Sequence, residues 1–332
     1  NNTTLGSVED FMAINSEQLA DGVGLNLSVN GSELDYALTG GIPTILEANT
    51  YTVVGDIYVD EGNSSYIVPG TKFLFDGPYS FKINGTINID GAEDDSVYFM
   101  NSDPNVSDEN KWLGIRLDGA SSSSSINYAR ITGVHFDPES EDPDLELAGY
   151  AINIYNSDPS LSNLMVDHNY ANIRLYTSSP TINNIHSIYS GRALTMQEYS
   201  FPVISNSKFN HNTGINVEIK SHSDPIFNNC EFSYNSNMNY SYGGAGVRSS
   251  SSGGGVTLNN CKFQYNQQLA NGSAYSIGRD YEGSVQFNNC LITNNEVHNP
   301  YNGRGGAISI FTKTAVFIRN TTIADNFTYS DN

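Results

Sequence analysis

Positive charge is scarce in this chain of 332 residues: seven Lys and eight Arg stand against 36 acidic residues, a net charge of -21 at neutral pH. A surface so poor in cations cannot displace the counterions of a phosphate backbone, which excludes nucleic acid as a partner. Long apolar runs are missing as well, so no stretch of about 18 residues is suited to span a bilayer as a helix. Cysteine is limited to Cys230, Cys261 and Cys290, too few and of odd number for a disulfide scaffold. The helix-favouring residues Ala, Leu, Glu and Lys are thin, which argues against a helical bundle. No basic segment with an apolar stretch precedes Asn1, so for a secreted protein the leader is expected to have been removed.

Neutral polar groups fill the space, with 42 Asn, 60 Ser plus Thr, 30 Gly and 21 Tyr. Their order is repetitive. Seven asparagines serve as anchors: Asn163, Asn184, Asn206, Asn229, Asn260, Asn289 and Asn320. Two positions before each stands an apolar residue (Leu161, Ile182, Ile204, Phe227, Leu258, Phe287, Ile318). One position after come Leu164, Ile185, Ser207, Cys230, Cys261, Cys290 and Thr321. Three positions after come Val166, Ser187, Phe209, Phe232, Phe263, Ile292 and Ile323, and six positions after mostly Asn (Asn169, Asn212, Asn235, Asn266, Asn295, Asn326). A repeat of this length is the mark of a solenoid.

Parity within the unit supplies the geometry. Positions minus four and minus two alternate inward as in a strand, whereas plus one and plus three carry the inward set after the anchor. A slip of one residue flips every side chain unless the chain turns a corner there. Asn tolerates the left-handed conformation such a corner needs. Each unit therefore reads as strand, Asn corner, strand, second Asn corner and a third strand, such as residues 151–154, 172–175 or 215–219. Three short strands per turn, stacked turn on turn, predict an all-β, right-handed parallel β-helix with Asn ladders. The division expected is an N-terminal cap over 1–50, with a helical segment at 7–20, irregular coils over 51–150 and regular coils over 151–332.

Residues 68–72 (Val-Pro-Gly-Thr-Lys), the Gly85–Gly91 strand and turn, Trp112-Leu113-Gly114-Ile115 and the repeated Asn-Asn-Cys units make the chain resemble right-handed parallel β-helix surface proteins of bacteria and archaea. Gly305-Gly306-Ala307-Ile308, followed by Phe317-Ile318-Arg319-Asn320, is similar to the short motifs of polymorphic outer-membrane proteins. The resemblance covers roughly residues 50–332 and implies the fold. It leaves function open, because this scaffold carries lyases, hydrolases, adhesins and envelope proteins alike.

A polysaccharide lyase needs a base and cations that neutralise the sugar acid. The outward side of the third strands offers Arg174, Glu218, Lys220, His222, Arg248 and Arg279, beside Glu198 and Asp280, with Lys220 and Arg248 on adjacent coils. An ordinary solvated face is the alternative reading, and the negative field opposes polyuronates. The acidic segment with Asp137, Glu139, Glu141, Asp142, Asp144 and Glu146 has hard oxygen ligands that suit calcium, although its spacing matches no EF-hand loop; a charged insertion exposed to solvent is the alternative reading, and no other cofactor is expected. The three cysteines share one inward column and are expected as buried free thiols.

After the second corner the last coils lengthen, at 236–243, 267–272 and 296–303. These insertions hold Tyr240, Tyr242, His298 and Tyr301, residue types that suit sugar stacking or a subunit interface. Of eleven glycosylation triplets, Asn239 and Asn271 are the best acceptors, because Asn320 and Asn326 belong to ladder columns. The repeat runs on to Ile323 and Asn326, so the last rung is expected to offer an open strand edge. Together these features predict an extracellular cell-envelope protein that stacks end to end with copies of itself into a filament, sheath or surface layer. The alternatives are a polysaccharide lyase or hydrolase working on the third-strand face, and a carbohydrate-binding adhesin that does not polymerise.

Overall fold

Inward residues of one coil sit on inward residues of the next throughout the computed structural model, which describes residues 28–29, 32–33, 36–135, 149–238, 243–250, 254–298, 305–312 and 314–329. Leu161 pairs with Ile182, Ile182 with Ile204, Ile204 with Phe227, Phe227 with Leu258, Leu258 with Phe287, and Phe287 with Ile318, all in parallel register. The third strands stack likewise, Ile173 on Leu194 and onward through Val217, Val247, Tyr275 and Ile308. The architecture is a right-handed parallel β-helix with one long apolar core.

The core is built from these columns. Phe209, Phe232 and Phe263 stack at centroid distances of 5.4 and 4.8 Å, and Phe73 lies on Phe99 at 4.7 Å. Trp112 packs on Phe75 at 4.3 Å and sends its indole N–H to the Thr132 carbonyl at 2.9 Å, so its one polar group is satisfied inside. Cys230, Cys261 and Cys290 are buried and free. Their thiols donate to the Ile204, Phe227 and Leu258 carbonyls of the preceding coil at 3.6, 3.6 and 3.4 Å.

The first corner turns at the anchors. Asn163, Asn184, Asn206, Asn229, Asn260, Asn289 and Asn320 all have left-handed φ between 47° and 56°. The Asn184 amide donates to Asn163 Oδ1 at 2.7 Å, Asn229 to Asn206 at 3.2 Å, Asn260 to Asn229 at 3.2 Å and Asn289 to Asn260 at 2.6 Å. Asn206 instead donates to Asn183.

The second corner differs from the expectation of a second Asn turn. The left-handed residue is the one before the Asn, or before Ser190 in one coil: His168, Tyr189, His211, Tyr234, Tyr265, Asn294 and Asp325 have φ between 52° and 57°. The following asparagines point inward and bridge coils. Asn235 donates its backbone and amide N–H to Asn266 Oδ1 at 3.2 and 3.0 Å, and Asn266 does the same to Asn295 at 3.1 and 2.8 Å. In this buried position, these bonds satisfy backbone groups that the turn would otherwise orphan.

Two further features depart from a plain three-strand repeat. Parallel stacking begins before residue 51, because Tyr36–Gly41 already pairs with Thr50–Val59. The insertions after the second corner build an additional four-stranded parallel sheet from Ser236–Asn237, Gln267–Gln268, Glu296–His298 and Phe327–Tyr329. The helical segment expected at 7–20 lies outside the described residues.

Candidate functional site

The third-strand face forms a column in which Asn153 leads to Arg174, Thr195, Glu218, Arg248, Ser276 and Ser309 on successive coils. Glu218 is only 3 % exposed. Its Oε2 meets Lys220 Nζ at 3.0 Å and Arg192 Nη1 at 3.2 Å, and its Oε1 lies 3.9 Å from Arg248 Nη1. Lys220, Arg248 and Glu218 are thus brought to one point, joined by Arg192 from the preceding coil, which the sequence reading did not single out. The cluster closes on itself. The Glu218 carboxylate and the cations around it are engaged with one another.

The other candidates of that face lie apart. Arg174 donates to Gln197 at 2.9 Å and sits over the rings of Tyr150 and Tyr176 at 5.8 and 5.6 Å. His222 takes a left-handed turn and stacks on Tyr199 at 4.9 Å. Arg279 and Asp280 are exposed in a turn, and Glu198 occupies a left-handed corner. His298 belongs to the additional sheet, bonded to Glu296 at 2.8 Å and stacked on Tyr329 at 4.8 Å. Asn271 is half-buried, with its carbonyl accepting the Gly244 N–H. Tyr240, Tyr242, Tyr301, Asn239 and the acidic segment holding Asp137, Glu139, Asp142 and Asp144 lie outside the described residues. Among the described residues no three His, Cys, Asp or Glu side chains are placed to hold a metal ion, and no helix is long and apolar enough to cross a membrane.

The second corner carries a feature that was not anticipated. Its left-handed residues stack their rings up the outside of the solenoid: His168 on Tyr189 at 5.4 Å, Tyr189 on His211 at 5.3 Å, His211 on Tyr234 at 5.1 Å, and Tyr234 on Tyr265 at 5.0 Å. The rings are about half exposed, Tyr189 at 52 % and Tyr265 at 46 %. The signal was present in the sequence as one more column, five positions after each anchor. A left-handed backbone under a bulky residue costs about 1 kcal/mol, which ring stacking of about 0.5–1.5 kcal/mol offsets.

At the lower end of this ladder lies a groove of about 390 Å³, lined in part by Tyr98, Arg130, Met165, Asp167, His168 and Tyr189. Asp167 is buried there. It accepts Arg130 Nε at 3.0 Å and Nη2 at 2.8 Å, and His168 Nδ1 at 2.7 Å. Burial pushes the Asp167 carboxyl up, but its bonds to Arg130 and His168 more than offset this and hold it below the ordinary carboxylate value. An ionised carboxylate only accepts, so His168 carries its proton on Nδ1 when neutral and presents Nε2 as an acceptor. A second groove of about 390 Å³ flanks the other side of the ridge, where His135 stacks on Tyr170 at 5.6 Å. His186, next to Met165 in the sheet, is held below its ordinary value by burial and then by Lys208.

A family model described as right handed beta helix region matches residues 113–281. No curated protein and no solved structure matches the chain.

Proposed function

Because the chain belongs to the right-handed β-helix family, a scaffold that fixes architecture and leaves function to its surface, we propose that it is an extracellular, non-catalytic β-helix of the cell surface that adheres through its ring-lined second corner. The ladder from His168 to Tyr265 carries this reading, since half-exposed aromatic rings in a continuous row are a contact surface more than a packing device. The acidic, Asn-rich and Tyr-rich composition supports an extracellular setting. Acid–base chemistry on the third-strand face is disfavoured by the closed Glu218 cluster. The test is binding of the purified protein to extracellular polysaccharides, with ultraviolet absorbance followed in parallel for elimination products. Strong absorbance growth, lost in Lys220→Ala, would replace adhesion with lyase activity.

A second reading is end-to-end stacking of copies, in which the parallel sheets of one solenoid would continue into those of the next. Light scattering across concentration tests this: growth in size supports stacking, and a constant monomer mass removes it.

A further inference from the structure

The ring ladder exceeds what its corner requires. Asn294 and Asp325 occupy the same corner with φ of 57° and 52°, so a small polar residue turns the chain as well. Five consecutive coils nevertheless place His, Tyr, His, Tyr and Tyr there. Because the rings face each other along the solenoid axis, their edges point to solvent. The ladder thus presents Tyr hydroxyls and His nitrogens about one coil apart, and the groove of Arg130, Asp167 and His168 lies at its foot.

We propose that this ladder and its groove form a track for an uncharged, extended polysaccharide, one sugar per coil; the proposal rests on the adhesive reading above and adds the site and the ligand class. Three observations select that ligand. The groove is electrically balanced, because the Arg130 guanidinium is spent on the Asp167 carboxylate through two of its nitrogens. The net charge of -21 repels polyanions before they arrive. The remaining groups match hydroxyls, which both donate and accept: the His168 ring nitrogen and the Tyr hydroxyls can each hydrogen-bond them, and Met165 supplies an apolar floor for the sugar's C–H face. A rigid row of rings, already stacked, loses little side-chain freedom on binding.

The experiment is affinity electrophoresis of the whole chain in native gels containing hydroxyethyl cellulose, xyloglucan or mixed-linkage β-glucan, with alginate and pectate as charged counterparts. The expected result is retardation in at least one uncharged gel and none in the charged ones. Tyr189→Ala and Tyr234→Ala should each weaken binding about tenfold, as truncating a central aromatic contact does. Tyr199→Ala, an equally exposed ring outside the ladder, should bind like the parent. Circular dichroism checks the fold, and if an Ala variant fails it, Tyr189→Phe decides the matter by removing only the hydroxyl and reducing retardation. Retardation that survives the ladder variants overturns the track and leaves adhesion standing. Retardation confined to alginate or pectate overturns the ligand class. No retardation in any gel removes the adhesive reading and the track with it.

Discussion

Replacing Asn266 and Asn289 separately, first by Ala and then by Gly, distinguishes two jobs that one residue type performs. Asn266 is fully buried. Its amide donates to the Phe232 carbonyl and to Asn295 Oδ1, both at 2.8 Å, while its Oδ1 accepts the backbone and side-chain N–H of Asn235. Truncation to Ala leaves the Asn235 backbone donor and the Phe232 carbonyl without these partners in a buried position, and each buried orphan costs about 1–3 kcal/mol. The expected loss is roughly 3–5 kcal/mol once the second Asn235 donor is included. Asn289 loses a single exposed amide bond to Asn260, and Ala must then adopt its φ of 56°, together about 1–2 kcal/mol. Gly has no Cβ to object to that φ and should recover about 1 kcal/mol at 289. At 266 it should recover nothing. Stacked coils need not unfold as one unit, so urea unfolding by circular dichroism should be paired with amide hydrogen exchange read coil by coil. Equal losses at the two sites, or rescue by Gly at 266, would refute the division between a hydrogen-bonding inner column and a conformational outer one.

Other perturbations address the charged clusters and the thiols. Glu218→Gln leaves Arg192, Lys220 and Arg248 facing each other and should cost roughly 2–3 kcal/mol in urea unfolding, less than a fully buried pair because Arg192 and Lys220 reach solvent. Lys220→Ala should cost under about 1 kcal/mol, since Arg192 still neutralises the carboxylate. Asp167 and Asp56 are both held below the ordinary carboxylate value, Asp56 by Lys82 and Ser80 against the upward push of burial. Their contribution is therefore complete above about pH 4 and fades as pH falls through the lowered folded-state values. An acid titration of stability should be flatter in Asp167→Asn over that window; an unchanged slope refutes the assignment. Iodoacetamide at mildly alkaline pH should label none of the three cysteines in the native protein and all three after unfolding. Cys261 is the most resistant, because its two thiol neighbours and burial push its pKa up.

The register of the stack was legible because inward apolar residues and left-handed asparagines recur at fixed distances, and both signals have one simple physical cause. Leu161 through Ile318 form the column the spacing predicts. The remaining features obey less uniform rules. The column of His168, Tyr189, His211, Tyr234 and Tyr265 mixes two residue types at a left-handed φ where bulky side chains are uncommon, so it reads as scattered composition. The additional sheet carries no strand signature in the sequence, because its inward residues include Asn237 and Gln268, whose burial leaves no hydrophobic trace. Arg192 is not legible beside Glu218 because it reaches across from the preceding coil. The early strand Tyr36–Gly41 was hidden by its glycines, one of which, Gly40, has φ of 81°.

Successive first-corner asparagines lie 21, 22, 23, 31, 29 and 31 residues apart, yet the inward column from Ile204 to Ile318 keeps its register. Part of the surplus folds into the additional sheet, so contour length and register are independent variables. Each layer consults only the layers directly below and above it. A protein made this way can gain, lose or embroider whole storeys without renegotiating the rest of the building, and its height becomes a quantity that evolution or an engineer is free to set.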